Sequence, residues 1–366
     1  MSLISKVECY SVNVPLPKPL PVGTTLVTHR GYAVVKVTTQ AGVVGVGYCY
    51  TRALPIAEII NSALAPEVIG KDTDFPEQIR QHLLAKFWHS AEHGTFTAAL
   101  SALDLAIWDA LGKENSISLS RALGQQHEKV LLCTVIGYQY GDDESDLIAE
   151  VESSLKVGFK SFKMVTGAAS PARDAERVKI VRELIGPDAK LAVDAFRSFR
   201  DLDDAIRRVN LIKGYDIAFV EDPFPESLGA LALDLQKRTG ALIAFGESQS
   251  GHRSLASLIT QGFVDVVRID ALIVGGVREF MAAAAVASAR GLPVATHVHQ
   301  EVHIHFAAAI NNLYSGGLEY MNPANNVDVL HKLINNPLKV ENGYAHVPTQ
   351  PGLGIDWNWK EIEKYV

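Results

Sequence analysis

Three runs decide the fold: Lys190-Leu191-Ala192-Val193-Asp194, Ile217-Ala218-Phe219-Val220-Glu221 and Leu242-Ile243-Ala244-Phe245-Gly246-Glu247. Each is a short apolar stretch that ends in a carboxylate. The carboxylates fall 27 and then 26 residues apart, the length of one strand, one helix and two short loops. Carboxylates at the same end of successive parallel strands converge. Unpaired, they repel one another, so a cation must stand between them. A hard divalent metal with oxygen ligands is the simplest such cation.

The same texture extends in both directions. Further apolar runs lie at 130–135, 159–165, 264–270, 293–297 and 317–321. They are continuously apolar rather than alternating, as expected of parallel strands covered on both faces. Helical stretches fall between runs, at 173–185, 201–212, 228–239, 255–261 and 277–290. Eight strands joined by helical crossovers point to an α/β protein with a closed (β/α) barrel. An open doubly wound sheet is the rival. It would place a phosphate loop after an early strand, and none is visible.

Ahead of the barrel the pattern differs. Residues 4–14 read as a strand, and the proline-rich segment 15–21 as a loop, because proline removes ladder donors. Residues 31–38 and 42–50 read as a hairpin. Within it, Gly45-Val46-Gly47 is a weak echo of a dinucleotide loop, but no helix opens after it. Residues 56–124 are helical in pattern. In 97–111, Leu100, Leu103, Ile107 and Leu111 share one face, and Gly112 follows as a C-cap. Asp104 and Asp109 on this helix read as capping partners or surface charge. The tail, 338–366, is strand-like and Trp-rich and is expected to pack back on the first domain. The expected units are therefore 1–126, 127–335 and 336–366.

Composition excludes several partners. The chain has 366 residues, 48% of them apolar, and a formal charge of −7, with an isoelectric point of about 6.0. No basic run is present, which argues against nucleic acid or an anionic membrane. No run of 18 apolar residues occurs, and Met1-Ser2-Leu3-Ile4-Ser5-Lys6 lacks the apolar core of a signal peptide. Cys9, Cys49 and Cys133 are distant and odd in number, which fits a reducing cytoplasm.

In a barrel, chemistry gathers at the carboxyl ends of the strands. Those ends carry Lys163, Asp194, Glu221, Glu247, Asp270, His297 and Glu319. Asp270 and His297 lie on adjacent strands, where a carboxylate fixes the imidazole tautomer and raises its basicity, making a general base. His299 and His303, four apart, raise the thought of zinc, but the order His299-Gln300-Glu301-Val302-His303 is not the His-Glu-x-x-His pattern.

The chain resembles the enolase superfamily, and within it the mandelate racemase subgroup. The resemblance spans essentially the whole length. It rests on Ala102-Leu103-Asp104-Leu105-Ala106-Ile107-Trp108-Asp109, Gly158-Phe159-Lys160-Ser161-Phe162-Lys163, Val220-Glu221-Asp222-Pro223, Gly246-Glu247-Ser248, Ile273-Val274-Gly275-Gly276-Val277, Thr296-His297 and Pro351-Gly352-Leu353-Gly354-Ile355. It implies a modified TIM barrel, (β/α)7β, under an N-terminal α+β cap completed by the C-terminal tail. It implies Mg²⁺ on Asp194, Glu221 and Glu247, abstraction of the proton α to a carboxylate, a small-molecule carboxylate substrate and a homo-oligomer. Cap segments near 19–30 and 48–53 would shape specificity, with His29, Arg30, Tyr50 and Arg52 as candidate contacts.

Two departures matter. The subgroup usually has Lys-x-Lys at the end of the second strand; here the stretch is Lys163-Met164-Val165, and the second lysine, a base on one face, is valine. Two positions after Asp194, where Asn is common, stand Phe196 and then Arg197, which could grip a distal carboxylate or hydroxyl. A site with one base, His297, suits dehydration of an acid sugar, with Lys163 neutralising the substrate carboxylate and Glu319 hydrogen-bonding it. Racemisation, epimerisation and cycloisomerisation remain open, as does a barrel that binds acid sugars without turnover.

Overall fold

The computed structural model describes residues 2–366 apart from 23–24, 92–93, 142 and 168. Three antiparallel strands open the chain: β1 (Ile4–Val22), β2 (Thr25–Thr39) and β3 (Val44–Tyr50), in the order β1-β2-β3. Helices α1 (Pro76–Lys86) and α2 (Gly94–Glu114) are the long helices of the cap, beside shorter helical turns at 56–68 and Leu119–Ala122.

The barrel follows. Its strands are β4 (Lys129–Ile136), β5 (Ser161–Val165), β6 (Lys190–Asp194), β7 (Ile217–Glu221), β8 (Ile243–Phe245), β9 (Val266–Ile269), β10 (Val294–Thr296) and β11 (Leu318–Tyr320). Neighbours from β4 to β10 pair in parallel, and β11 returns to pair with β4. The crossovers are α3 (Ser145–Val157), α4 (Pro171–Ile185), α5 (Leu202–Ile212), α6 (Gly229–Thr239), α7 (Gly251–Thr260), α8 (Val277–Ala289) and α9 (Gln300–Ala307). Eight strands and seven crossovers make the (β/α)7β barrel. Local chemistry sets the limits of these helices: Ser170 and Asp201 accept from the third residue on and cap α4 and α5, while Gly158 and Gly240 end α3 and α6 in the left-handed region.

The proline-rich segment is a correction. Residues 15–21 belong to β1 rather than to a loop. β1 is an edge strand, so proline's missing N–H groups need not enter a ladder. The register slips from Pro15↔His29 to Leu20↔Val27, which passes over Pro17 and Pro19. The expected cap segment 19–30 is therefore the end of a long hairpin, of which 23–24 lie outside the described residues.

Helix α2 differs in two ways. It runs through Gly112 to Glu114 instead of stopping at the glycine. A Cβ on Gly112 would lie 2.6 Å from Gly352 Cα, so glycine here admits the C-terminal tail. Asp104 and Asp109 are not surface charges: they are 3% and 2% exposed. Asp104 accepts from Val277 N–H at 2.8 Å, joining the cap to the start of α8. Asp109 accepts from Val46 N–H at 2.8 Å, Leu353 N–H at 2.7 Å and the Lys113 ammonium at 2.6 Å.

Gly45 and Gly47 serve packing rather than a dinucleotide. Cβ atoms there would fall 2.1 and 2.2 Å from the Ala106 and Ala102 carbonyls, so β3 lies directly on α2. The tail adds a hairpin, β12 (Val340–Glu341) and β13 (Tyr344–His346), antiparallel to β4. It then reaches the cap: Leu119 N–H donates to Gly352, Asn13 N–H donates to Tyr365, and Trp357 lies edge-on to Tyr48. Among the described residues no helix is long and apolar enough to cross a membrane.

Replacing Asp109 by alanine strands two buried N–H groups, on β3 and on the tail, at roughly 1–3 kcal/mol each. D109A should lose about 3 kcal/mol in urea titration; a loss below about 0.5 kcal/mol, the ordinary scatter of surface substitutions, would contradict this account of the cap.

Candidate active site

The carboxyl ends of the barrel strands and the cap enclose a cavity of about 1190 Å³. Asp194, Glu247, Lys163, His297 and Glu319 line it from the barrel, and His29, Arg30, Tyr50 and Arg52 from the cap. A smaller hollow of 320 Å³ beside Trp108 and Ile117 lies on the cap, away from these groups.

Charge dominates the floor. The Lys163 ammonium sits 3.0 Å from both Glu221 oxygens, 3.2 Å from Asp194 Oδ2 and 2.7 Å from Glu319 Oε2. Arg268, on β9, is a second buried cation. Its Nη2 donates to Glu319 Oε2 at 2.6 Å, and its Nε forms an ion pair with Glu221 Oε1 at 3.0 Å, off the hydrogen-bonding direction. Burial pushes Glu221 well above the ordinary carboxyl range and raises Asp194, and the neighbouring carboxylates add to both shifts. Burial would also raise Glu247 and Glu319, but charge reverses it. His297, Arg268 and Lys163 hold Glu247 down at about 2. Arg268 and Lys163 hold Glu319 well below the usual carboxylate range. Glu319 also accepts from Val298 N–H at 3.0 Å. An ionised carboxylate held this way accepts hydrogen bonds and has none to donate.

Four carboxylates, Asp194, Glu221, Glu247 and Glu319, thus face two cations, Lys163 and Arg268. With all four ionised, as metal ligands must be, two negative charges are left over. The donor set is all oxygen and comes from the ends of three adjacent strands, so it suits a hard divalent ion. Among the described residues no three His, Cys, Asp or Glu side chains stand at metal-ligand spacing, and Lys163 occupies the space between the carboxylates. Asp194, Glu221 and Glu247 would hold the ion once they draw together around it.

The opposite flank holds His297, the candidate base. His297 Nδ1 meets Asp270 Oδ2 at 2.8 Å, and its Nε2 lies 3.4 Å from Glu247 Oε2. Burial would raise Asp270, but the bond from His297 and the nearby imidazoles hold it well below the usual range. Leu272 N–H donates to its other oxygen at 2.8 Å. Asp270 therefore accepts the His297 Nδ1 proton and leaves Nε2 as the basic nitrogen. His303 braces the pair. Its Nε2 accepts from Ala271 N–H at 2.9 Å, so its Nδ1 donates to the Val298 carbonyl at 2.8 Å. Both its nitrogens are engaged, which leaves none for zinc. His299, held neutral by burial at about 3, packs 4.3 Å from the Tyr50 ring. The intervening Val298 has φ 50°, rare for a β-branched residue, and bonds at both its N–H and its carbonyl hold it there.

The remaining candidates divide. Val165 is buried and lines the cavity where a second lysine would stand, in register with Asp194. Arg197 lines the cavity but is tied to Asp222 at 2.8 Å, Ser248 at 2.8 Å and Glu226 at 3.4 Å. Arg30 is bound to the Val327 carbonyl at 2.7 Å and lies over the Tyr50 ring. Arg52, at φ 48°, is exposed on the rim, and His29 is bonded to its neighbour Thr28. Sequence reasoning missed Arg268 and Tyr138. Arg268 had a signal, a lone cation inside an apolar run; Tyr138 lies past the end of β4 and had none.

A capped barrel with acidic strand ends and an Asp–His pair across the mouth is the architecture of the enolase superfamily of enzymes. The chain belongs to the mandelate racemase and muconate lactonizing enzyme family: residues 5–124 match its N-terminal domain and residues 146–361 the Enolase C-terminal domain-like family. It is 27% identical to arabinonate dehydratase of Saccharolobus solfataricus over 90% of this chain and 89% of that one. It is 28% identical to D-galactarolactone cycloisomerase of Agrobacterium fabrum over 99% and 98%. Its fold matches L-talarate dehydratase from a Polaromonas species, solved with Mg and L-glucarate, with a TM-score of 0.90, 25% identity, and 100% and 97% of the two chains covered.

Removing one partner from a buried ion cluster costs about 3–5 kcal/mol. E319Q should therefore destabilise the metal-free protein by about 3 kcal/mol in urea titration with chelator present. A loss under about 1 kcal/mol would mean that Lys163 and Arg268 do not depend on Glu319.

Proposed function

We propose that the protein is a Mg²⁺-dependent acid-sugar dehydratase that releases 2-keto-3-deoxy acids. The observation that carries this reading is the single base: the Asp270–His297 pair is intact at 2.8 Å, while Val165 holds the position of the second. Relatives that dehydrate arabinonate and galactarate support the substrate class. Solved neighbours with magnesium support the metal.

Asp194, Glu221 and Glu247 are the assigned metal ligands. Mg²⁺ bound there supplies the Lewis acidity that makes an α-proton removable. Lys163 offsets the substrate carboxylate. His297 Nε2 takes the proton from C2, and Asp270 and Glu247 offset the imidazolium that results. As the C3–O bond breaks, the same Nε2–H returns its proton to the departing hydroxyl, which leaves as water. The enol then tautomerises to the 2-keto acid. Glu319 keeps Lys163 and Arg268 in place. Arg197, His29, Tyr50 and Arg52 face the rest of the substrate. Transfer at a single nitrogen needs no group on the other face, which is why Val165 is compatible with elimination and not with two-base racemisation.

Cycloisomerisation is the second reading, favoured by the lactone-processing relative. The product separates the two. A panel of aldonic and aldaric acids with Mg²⁺ should yield 2-keto-3-deoxy acids. Loss of general-base catalysis should lower kcat in H297N by at least about 10²-fold, with metal binding kept. Inversion at C2 or ring opening without loss of water would replace dehydration with isomerisation. H297N at wild-type rate would remove His297 from the chemistry.

A further inference from the structure

We propose that Tyr138 is a substrate-contacting residue: its hydroxyl donates a hydrogen bond to an oxygen of the bound hydroxy acid on the Val165 side of the mouth, and Arg177 is the positioning residue that holds it there. The proposal rests on the preceding reading for the class of ligand.

Tyr138 follows β4, beside the strand that ends in Val165, and lines the main cavity. Its side chain is buried, edge-on to Phe196 at 5.7 Å between centroids. Its hydroxyl has no protein hydrogen-bond partner among the described residues and is not sealed off, unlike the Tyr48 and Tyr314 hydroxyls. The other tyrosines of this cavity are engaged. Tyr50 bonds to Asp328, and Tyr140 bonds to the Val165 carbonyl and Asp174. A phenol whose ring is packed and whose hydroxyl opens to the cavity is placed to donate to a ligand there. Its electrostatic neighbours are Lys163, Glu319, Asp194 and Arg30, so it faces the space between the carboxylates and the cap. Burial also pushes the phenol above its ordinary range, which favours the donor form.

The backbone around it is clamped. Arg177, on α4, is 0% exposed. Its Nη2 donates to the Gly137 carbonyl at 2.8 Å and the Gln139 carbonyl at 3.4 Å, one on each side of Tyr138. Its Nε donates to Glu144 at 3.0 Å, and its guanidinium stacks 3.8 Å from the Tyr140 ring. Gly137 N–H is held by Glu150 at 2.8 Å. A buried arginine spent on two loop carbonyls fixes the aim of the side chain between them.

The experiment is calorimetric titration of the Mg²⁺-loaded protein with aldonic and aldaric acids, for wild type, Y138F, R177K and the double variant. Y138F removes a hydroxyl that no protein group uses, so its Tm should equal that of wild type. Its Kd should rise about 3- to 10-fold, the worth of one neutral hydrogen bond. R177K should weaken binding similarly, and Y138F in that background should add little. An unchanged Kd in Y138F, or a lowered Tm accompanying the change, would overturn the proposal, and Y138F reads this even if R177K fails to fold. Binding without turnover in wild type would overturn the dehydratase reading alone. No binding of any panel member to wild type would overturn both.

Discussion

The site depends on an electrostatic imbalance that the barrel builds into its own rim. Parallel strands carry Asp194, Glu221, Glu247 and Glu319 to one end, where water is scarce and charges interact strongly. Lys163 and Arg268 offset part of this and hold the carboxylates close. When all four carboxylates are ionised, the remainder is two negative charges, the complement of a divalent cation. Such an arrangement is costly for stability, since a buried ion cluster rarely outperforms an apolar core. Its presence on the functional end of the barrel is what a site under chemical demand requires.

The second flank is built on different principles. His297 is aimed by hydrogen bonds rather than by net charge: Asp270 fixes its Nδ1 proton, and His303 supports the backbone on both sides. Val298 and His299 adopt left-handed backbone, as do Phe196, Arg197 and Asp222 on the metal side and Arg52 and Ala53 on the cap. Strained residues thus collect around the mouth, where surrounding bonds hold them in place. In the proposed chemistry the carboxylate side would hold the metal and the imidazole side would supply the base. Buried Asp104 and Asp109 join cap, barrel and tail into a lid over both.

The sequence showed much of this, for physical reasons. Parallel strands covered on both faces read as apolar runs, and a charge ending such a run is conspicuous; Asp194, Glu221, Asp270 and His297 were visible that way. Arg268 was overlooked, although a lone cation in an apolar run was there to be seen. Its partners were not, because pairing across a barrel depends on closure. The proline segment was misread because proline forbids a central strand and not an edge. Asp104 and Asp109 read as capping partners or surface charge; Asp104 does bond the first N–H of α8, but the burial of both was hidden because Val277 and Leu353 lie far along the chain. Tyr138 carried no signal, since its role depends on the cavity and on Arg177 beneath it. The free or engaged state of Arg52 and Arg197 was likewise a matter of geometry.

The central claim is that the leftover charge on the rim is a place for one divalent ion. Titration of Mg²⁺ into the chelator-treated protein, followed by calorimetry and by Tm, tests it most directly. The account predicts one ion per chain with a rise in Tm, and loss of both in E247Q. Binding unchanged in E247Q, or no binding to wild type, would contradict it.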